Sequence, residues 1–270
     1  MSNGIASGPP CLDDAFTLLR LQMEWGADEA IALEPLDRFR AAEPQPADPR
    51  PVVRAVAAVP EPQPGTPAER AFGLAGRAAT LDELRAALAA FDGCALRDTA
   101  SNLVFAGGDP ASTTLIVGEP PGREEDRSGH PFAGPEGALL DQMLASIGLT
   151  RAGLMLTPLL PWRPPGGRPV NAGELAVCLP FLYRLIVLLQ PRRLLIFGGT
   201  AVRALLMPAG GRRRATLGWT EASIPGLSQT LPALALPGMA ELVKNPPVRR
   251  DGWFGLRLLR RALDKDLTKT

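Results

Sequence analysis

The 270-residue chain holds only one histidine, one tyrosine and three cysteines. Cys11, Cys94 and Cys178 are widely spaced and odd in number, which excludes a disulfide framework and a complete four-cysteine metal site within one chain. A reducing, cytosolic setting is the expectation. The N-terminus lacks a basic stretch followed by an apolar one, and no apolar run reaches the roughly 20 residues that a membrane span takes. The longest run, LPFLYRLIVLL, is broken by Arg184 and ends at Gln190 and Pro191. The reading is a soluble, cytoplasmic protein that makes no use of a membrane.

The net charge of +1 conceals an asymmetry. Residues 160–270 carry 17 Lys and Arg against 6 Asp and Glu, whereas residues 1–159 carry 12 against 22. A basic C-terminal half has the composition of a polyanion-binding face; an internally neutralised surface is the alternative.

Length allows one full core with an appendage. Residues 1–40 form an N-terminal helical segment: apolar positions in 12–32 recur at helical spacing, with Asp13 and Asp14 placed to cap the start. Residues 41–67, rich in Pro and Ala without a period, read as a linker. A compact domain is then expected over 68–270. In it, TLDELRAALAAF predicts a helix capped by Thr80 and Glu83. TTLIVGE, LMLTPLL and PRRLLIFGG predict strands, with helices over PEGALLDQMLASIGL and AGELAVCLPFLYRLIVLL. Weaker strands near 217–224 and 230–236 precede a final helix over about 251–264. This alternation predicts an α/β fold, three-layer α/β/α with a central mostly parallel sheet, whose ligands sit at the carboxyl ends of the strands.

Four blocks, in order, carry a resemblance: FDGCALRDTASNLVFAGGDP, LIVGEPPGREEDRSGHPFAGPEGALLDQMLASIGL, WRPPGGRPVNAGELAVCLPFL and PRRLLIFGGTA. Together they resemble the uracil-DNA glycosylase superfamily, in particular its family 4 branch and alphaproteobacterial relatives, over about residues 80–204. The resemblance implies a uracil-DNA glycosylase-like fold and a DNA partner. It also implies extrusion of the base, stacking on an aromatic ring and hydrolysis of the N-glycosidic bond. It assigns the catalytic carboxylate to Glu119 and the stacking ring to Phe132, with the base held among Gly118, Pro120, Gly122, Phe132, Pro158 and Leu236. Arg163 and Arg168, around the rigid turn WRPPGGR, suit phosphate contacts, against the alternative of a surface loop salt-bridged to the acidic half.

Three of these positions depart from the family pattern. Pro120 has no N–H where the family offers a backbone donor. Pro158 stands where an Asn reads the base edge. Leu stands where the family has the His of a His-Pro motif, at Leu231-Pro232 or Leu236-Pro237, and the single His130 lies elsewhere. The resemblance also implies that Phe91 and Trp162 replace two of four iron-sulfur ligands, leaving Cys94 and Cys178 adjacent in an apolar plug. No metal or other cofactor is therefore expected.

Other features have plainer readings. Glu119 could be a strand-end carboxylate satisfied by loop amides, and Phe132 could be core. Glu124, Glu125 and Asp126 read as solvated or structural loop residues rather than metal ligands. His130 reads as a surface residue, and Arg212, Arg213 and Arg214 as a solvated loop. Two functions stay open: a glycosylase with weak or altered uracil excision, and a degenerate homologue that binds DNA or a protein partner without excision. A third uses residues 1–67 as a tether for a protein partner.

Overall fold

The run Thr114–Gly118 is buried at every position, as a strand must be when helices cover both faces of its sheet. The computed structural model describes residues 65–206 and 218–267. Its strands are β1 (Gly107–Gly108), β2 (Thr114–Gly118), β3 (Met155–Pro158), β4 (Arg193–Phe197), β5 (Trp219–Ala222) and β6 (Leu231–Leu236). They form one six-stranded sheet in the order β1-β3-β2-β4-β6-β5. The inner four run parallel, and the short edges β1 and β5 run antiparallel to their neighbours.

Period-two alternation divides the strand residues between two cores. Leu115, Val117, Leu194, Ile196, Ala233 and Ala235 enter one cluster, and Ile116, Leu195, Phe197, Leu234 and Leu236 the other. On the first face lie α1 (Pro67–Arg77), α2 (Leu81–Ala90) and α6 (Ala172–Leu189). On the second lie α5 (Gly134–Ala145), α8 (Met239–Lys244) and α9 (Pro246–Leu267). The remaining helices are the short α3 (Leu96–Thr99) and α4 (Arg123–Ser128), and α7 (Gly199–Leu206), which follows β4. The architecture is three-layer α/β/α, as the alternation predicts.

Cap chemistry sets several boundaries. Thr80 accepts the Glu83 amide at the start of α2, and Asn171 and Glu174 close a reciprocal box at the start of α6. Helix α6 runs on through Pro180. Among the described residues it is the one helix long and apolar enough to cross a membrane, yet ten of its residues are buried in this core.

The short β1, α3, α4 and α8 were not among the expected elements, and two longer helices also differ from expectation. Helix α1 was not legible because its buried positions, Ala71 and Ala75, are small and follow the Pro-rich stretch. The last helix begins at Pro246 rather than near 251, since prolines are tolerated in a first turn whose amides have no helical partner. The helix expected over 12–32, Cys11, nearly all of the linker and Arg212–Arg214 lie outside the described residues.

Candidate active site

Strand β2 ends at Gly118, and the chain turns through Glu119, Pro120, Pro121 and Gly122 into α4. One side chain shapes this loop. Glu125 accepts the Gly122 amide on Oε2 at 2.6 Å and the Phe132 amide on Oε1 at 2.6 Å. Behind it, Asp126 accepts the amides of Ser101 and Asn102, and the Asn102 side-chain amide donates back to the Asp126 carbonyl at 2.7 Å. Glu125 and Asp126 are thus structural, as their plainer reading had it.

Phe132 sits at φ 53, in the left-handed region. That backbone costs a non-glycine residue about 1–3 kcal/mol. Two charged partners offset it: Glu125 at the amide, and Arg151, whose Nη1 donates to the Phe132 carbonyl at 2.9 Å. A hydrogen bond to a charged group contributes roughly 1.5–3 kcal/mol, so the pair suffices. Arg151 also donates to the Gly137 carbonyl and to Asp141. The Phe132 ring is 5% exposed, meets Phe197 edge-on at 6.2 Å between centroids, and lies over Gly118. A Cβ on Gly118 would come 2.7 Å from the ring, so the glycine is what lets the ring close over the strand end.

Glu119 is half-buried and lies close against two glycines that follow β4 and β6. A Cβ on Gly198, just after β4, would fall 2.1 Å from its Cγ, and one on Gly238, just after β6, would fall 2.6 Å from its Oε2. The carboxylate therefore lies where the ends of β2, β4 and β6 converge. Burial raises its pKa above the ordinary value, and the carboxylates of Glu136 and Glu241 add to the rise. Arg203 and a backbone hydrogen bond from Thr200, in the first turn of α7, oppose it. Glu136 is likewise pushed up by burial, with Lys244 opposing.

The residues at the neighbouring strand ends are apolar. Pro158 is the register partner of Gly118 and is buried. Leu236 is the register partner of Phe197, is 4% exposed, and points into the core, where a Cβ on Gly255 would meet its Cδ2 at 2.0 Å. Leu231-Pro232 begins β6, at the opposite end of the sheet from Glu119. The geometry thus chooses Leu236-Pro237 between the two candidate registers. Pro120 is half-exposed, while the Gly122 amide is already bound by Glu125.

Arg163 is half-exposed. Arg168 binds both oxygens of Glu174, in the first turn of α6, and the Pro169 carbonyl, so its guanidinium is already engaged. That bond holds the Glu174 carboxyl below its ordinary range. His130 is exposed, with Nδ1 2.8 Å from the Ser128 carbonyl oxygen. The site residues not foreseen are Glu125 as loop clamp, Arg151, Thr200, Gly198 and Gly238. The Gly-Gly pair after PRRLLIF was a legible signal for Gly198; Arg151 has none, since it reaches Phe132 only through folding.

On the far side of the sheet, Cys94 and Cys178 stand with Sγ atoms 3.8 Å apart, in one buried cluster with Phe91 and Trp162. Hydrogen bonding from Cys178 lowers the Cys94 thiol to about 7, and the Cys178 thiol is pushed up by the same contact and by burial. Two thiols in one apolar cluster with two aromatic side chains do not fit an iron-sulfur group that needs four thiolates. Among the described residues, no group of three His, Cys, Asp or Glu side chains could hold a metal ion.

Residues 105–254 match the family described as the uracil DNA glycosylase superfamily. The chain is 39% identical over 127 residues to the type-4 uracil-DNA glycosylase of Pyrobaculum aerophilum, covering 47% of this chain and 64% of that one. It is 36% identical over 124 residues to that of Archaeoglobus fulgidus, covering 46% and 62%. With that of Thermotoga maritima it shares 34% over 109 residues, covering 40% and 57%. The chain thus spans less than two thirds of the length of these relatives. The matched region runs from Phe105, just before β1, through the carboxyl ends of β2, β4 and β6 and into α9, more than half of the chain, and on that ground the protein belongs to the uracil-DNA glycosylase superfamily.

Proposed function

We propose that this protein is a DNA glycosylase of base-excision repair that hydrolyses the N-glycosidic bond of uracil or a related damaged base. The observation that carries the reading is the seat of Glu119, half-buried between the backbones of Gly198 and Gly238 at the carboxyl end of the sheet. As the bond breaks, positive charge develops on the sugar and negative charge on the departing base. A carboxylate at Glu119 supports the first charge or orients the attacking water. Phe132 supplies the ring on which the extruded base stacks, with Gly118 beneath it. Arg163 is the loop cation left to meet phosphate; Arg168 does so only by leaving Glu174.

The surroundings proposed for the base are poor in donors: Pro120 has no N–H, the Gly122 amide is held by Glu125, Pro158 is apolar, and Leu236 is turned into the core. Losing one donor to a developing oxyanion costs about a hundred- to a thousand-fold in rate. Excision of uracil is accordingly slow, or the preferred base is one that asks for fewer hydrogen bonds. The burial of Leu236 against Gly255 and the 5% exposure of Phe132 favour a second reading, a homologue that binds DNA without excision. Domain boundaries at 1–40, 41–67 and 68–270 belong to the proposal; use of residues 1–67 as a tether for a protein partner is an alternative to both readings.

The test is a panel of oligonucleotides containing uracil, hypoxanthine or xanthine, single- and double-stranded, treated with pure protein and then with alkali. Base release that disappears in Glu119→Gln supports the glycosylase. No release from any substrate, with DNA binding intact, overturns it in favour of the second reading.

A further inference from the structure

We infer that the outer face of α9 binds single-stranded nucleic acid, with Trp253 and Phe254 stacking on unpaired bases and Arg250, Arg257 and Arg261 holding the phosphates. The helix is sharply two-sided. Gly252, Gly255, Leu256 and Leu259 are buried, Gly255 against Leu236 and Gly252 against Met143 and Leu242. Arg250, Trp253, Phe254, Arg257 and Arg261 are all exposed, and steps of three, four, seven and eleven residues put them on the opposite side. The stripe from Arg250 to Arg261 extends roughly 16 Å along the helix.

The arginines of α9 fall into two groups. Arg249 caps α8 by donating to the Leu242 and Val243 carbonyls, and Arg260 pairs with Asp264 and reaches the Ile147 carbonyl. These two have structural duties. Among the described residues, Arg250, Arg257 and Arg261 form no ion pair, and Asp264, three residues after Arg261, is taken by Arg260. Trp253 and Phe254 are 39% and 44% exposed, and they are the only adjacent pair among the exposed large hydrophobic side chains described.

The chemistry of the stripe selects its occupant. Rings and arginines also suit a protein interface, but three arginines that form no ion pair among the described residues favour a polyanion. A polyanion satisfies the arginines, and only unpaired bases offer faces to the rings, since a duplex presents its phosphates and hides its stacks. The inference takes from the proposed function only the choice of DNA; its geometry does not involve Glu119.

The experiment uses the full chain, a fluorescein-labelled mixed-sequence oligonucleotide, single-stranded or annealed, and fluorescence anisotropy over a range of salt. Trp253→Ala with Phe254→Ala is expected to weaken single-strand binding about tenfold or more and to change duplex binding little. Trp253→Phe with Phe254→Trp, which keeps two rings, is expected to restore it. Arg250→Ala with Arg257→Ala is expected to weaken both and lower the salt slope by about two. Unchanged single-strand affinity in the ring-less variant overturns the inference. So does an equal loss on duplex, or a self-association that the rings support while DNA binding is unaffected. Glu119→Gln separates the two proposals. If it abolishes base release but keeps ring-dependent binding, both stand; wild-type protein that binds through the rings but releases no base sinks only the glycosylase.

Discussion

The Glu119 side chain and Gly198 are packed so closely that a single methyl on the glycine would lie 2.1 Å from the Glu119 Cγ. Gly198 has φ 93, a conformation that side-chain-bearing residues rarely adopt. Gly198→Ala is therefore expected to displace the carboxylate and strain the turn into α7. Urea unfolding should show a loss of about 1–3 kcal/mol, and any Glu119-dependent base release should fall to the level of Glu119→Gln.

The clamp at Glu125 leads to a different expectation. Glu125→Ala releases the amides of Gly122 and Phe132 together and leaves the strained Phe132 backbone supported only by Arg151. Stability should drop by about 2–4 kcal/mol, since each bond to a charged group contributes roughly 1.5–3 and exposed loop amides recover water. The near-ultraviolet circular dichroism of the Phe132–Phe197 contact should weaken with it.

Acid titration tests the carboxylates. Glu136 has its pKa raised from 4.5 by burial, so the folded state binds its proton more tightly than the unfolded state does. Stability then falls as pH rises from about 4.5 through the raised value, because ν for the native state exceeds that for the unfolded state in this window. Glu136→Gln removes that cost. Its Tm should exceed that of wild type at neutral pH, and the gap should close below about 4.5, where both side chains are neutral.

Replacing a wall tests the account of the base pocket. Pro158→Asn returns a side-chain amide to the end of β3, beside Gly118. Uracil release should rise about tenfold or more, in keeping with the roughly 1–3 kcal/mol that an unpaired buried polar edge costs. Leu236→Ala, by contrast, opens a cavity against Gly255 and should cost about 2–5 kcal/mol in urea unfolding.

The cysteine pair makes a spectroscopic prediction. Cys94 is lowered to about 7 chiefly because Cys178 donates to it. In Cys178→Ala, with Cys11 also replaced, the ultraviolet absorbance of the thiolate should titrate at a higher pH than in the protein with both buried thiols.

The parallel core strands, the helices between them and the placing of Glu119 at a strand end were written in local patterns. Fully buried strands read as apolar runs, and Thr80, Asn171 and Glu174 announce helix starts through capping chemistry. The family blocks likewise brought Glu119, Phe132 and the Cys94–Cys178 pair into view, and the 3.8 Å between the two sulfurs agrees with the expected plug. Helix α1 escaped because alanine carries little periodic signal.

What the tertiary structure alone decided is which partner each polar group finds. Nothing in the order of residues says that Arg151 binds the Phe132 carbonyl, that Arg168 belongs to Glu174, or that Leu236 rather than Leu231 lies at the Glu119 end of the sheet. Hydrophobic period is a property of neighbours in the chain, and so can be read from it. A hydrogen bond between residues 19 apart in sequence, or a carboxylate seated between two glycines on other strands, exists only once the sheet has assembled. For the same reason the sequence by itself determined the fold class and its catalytic candidate, while the closeness of Gly198 and Gly238 decided where that candidate's charge is held.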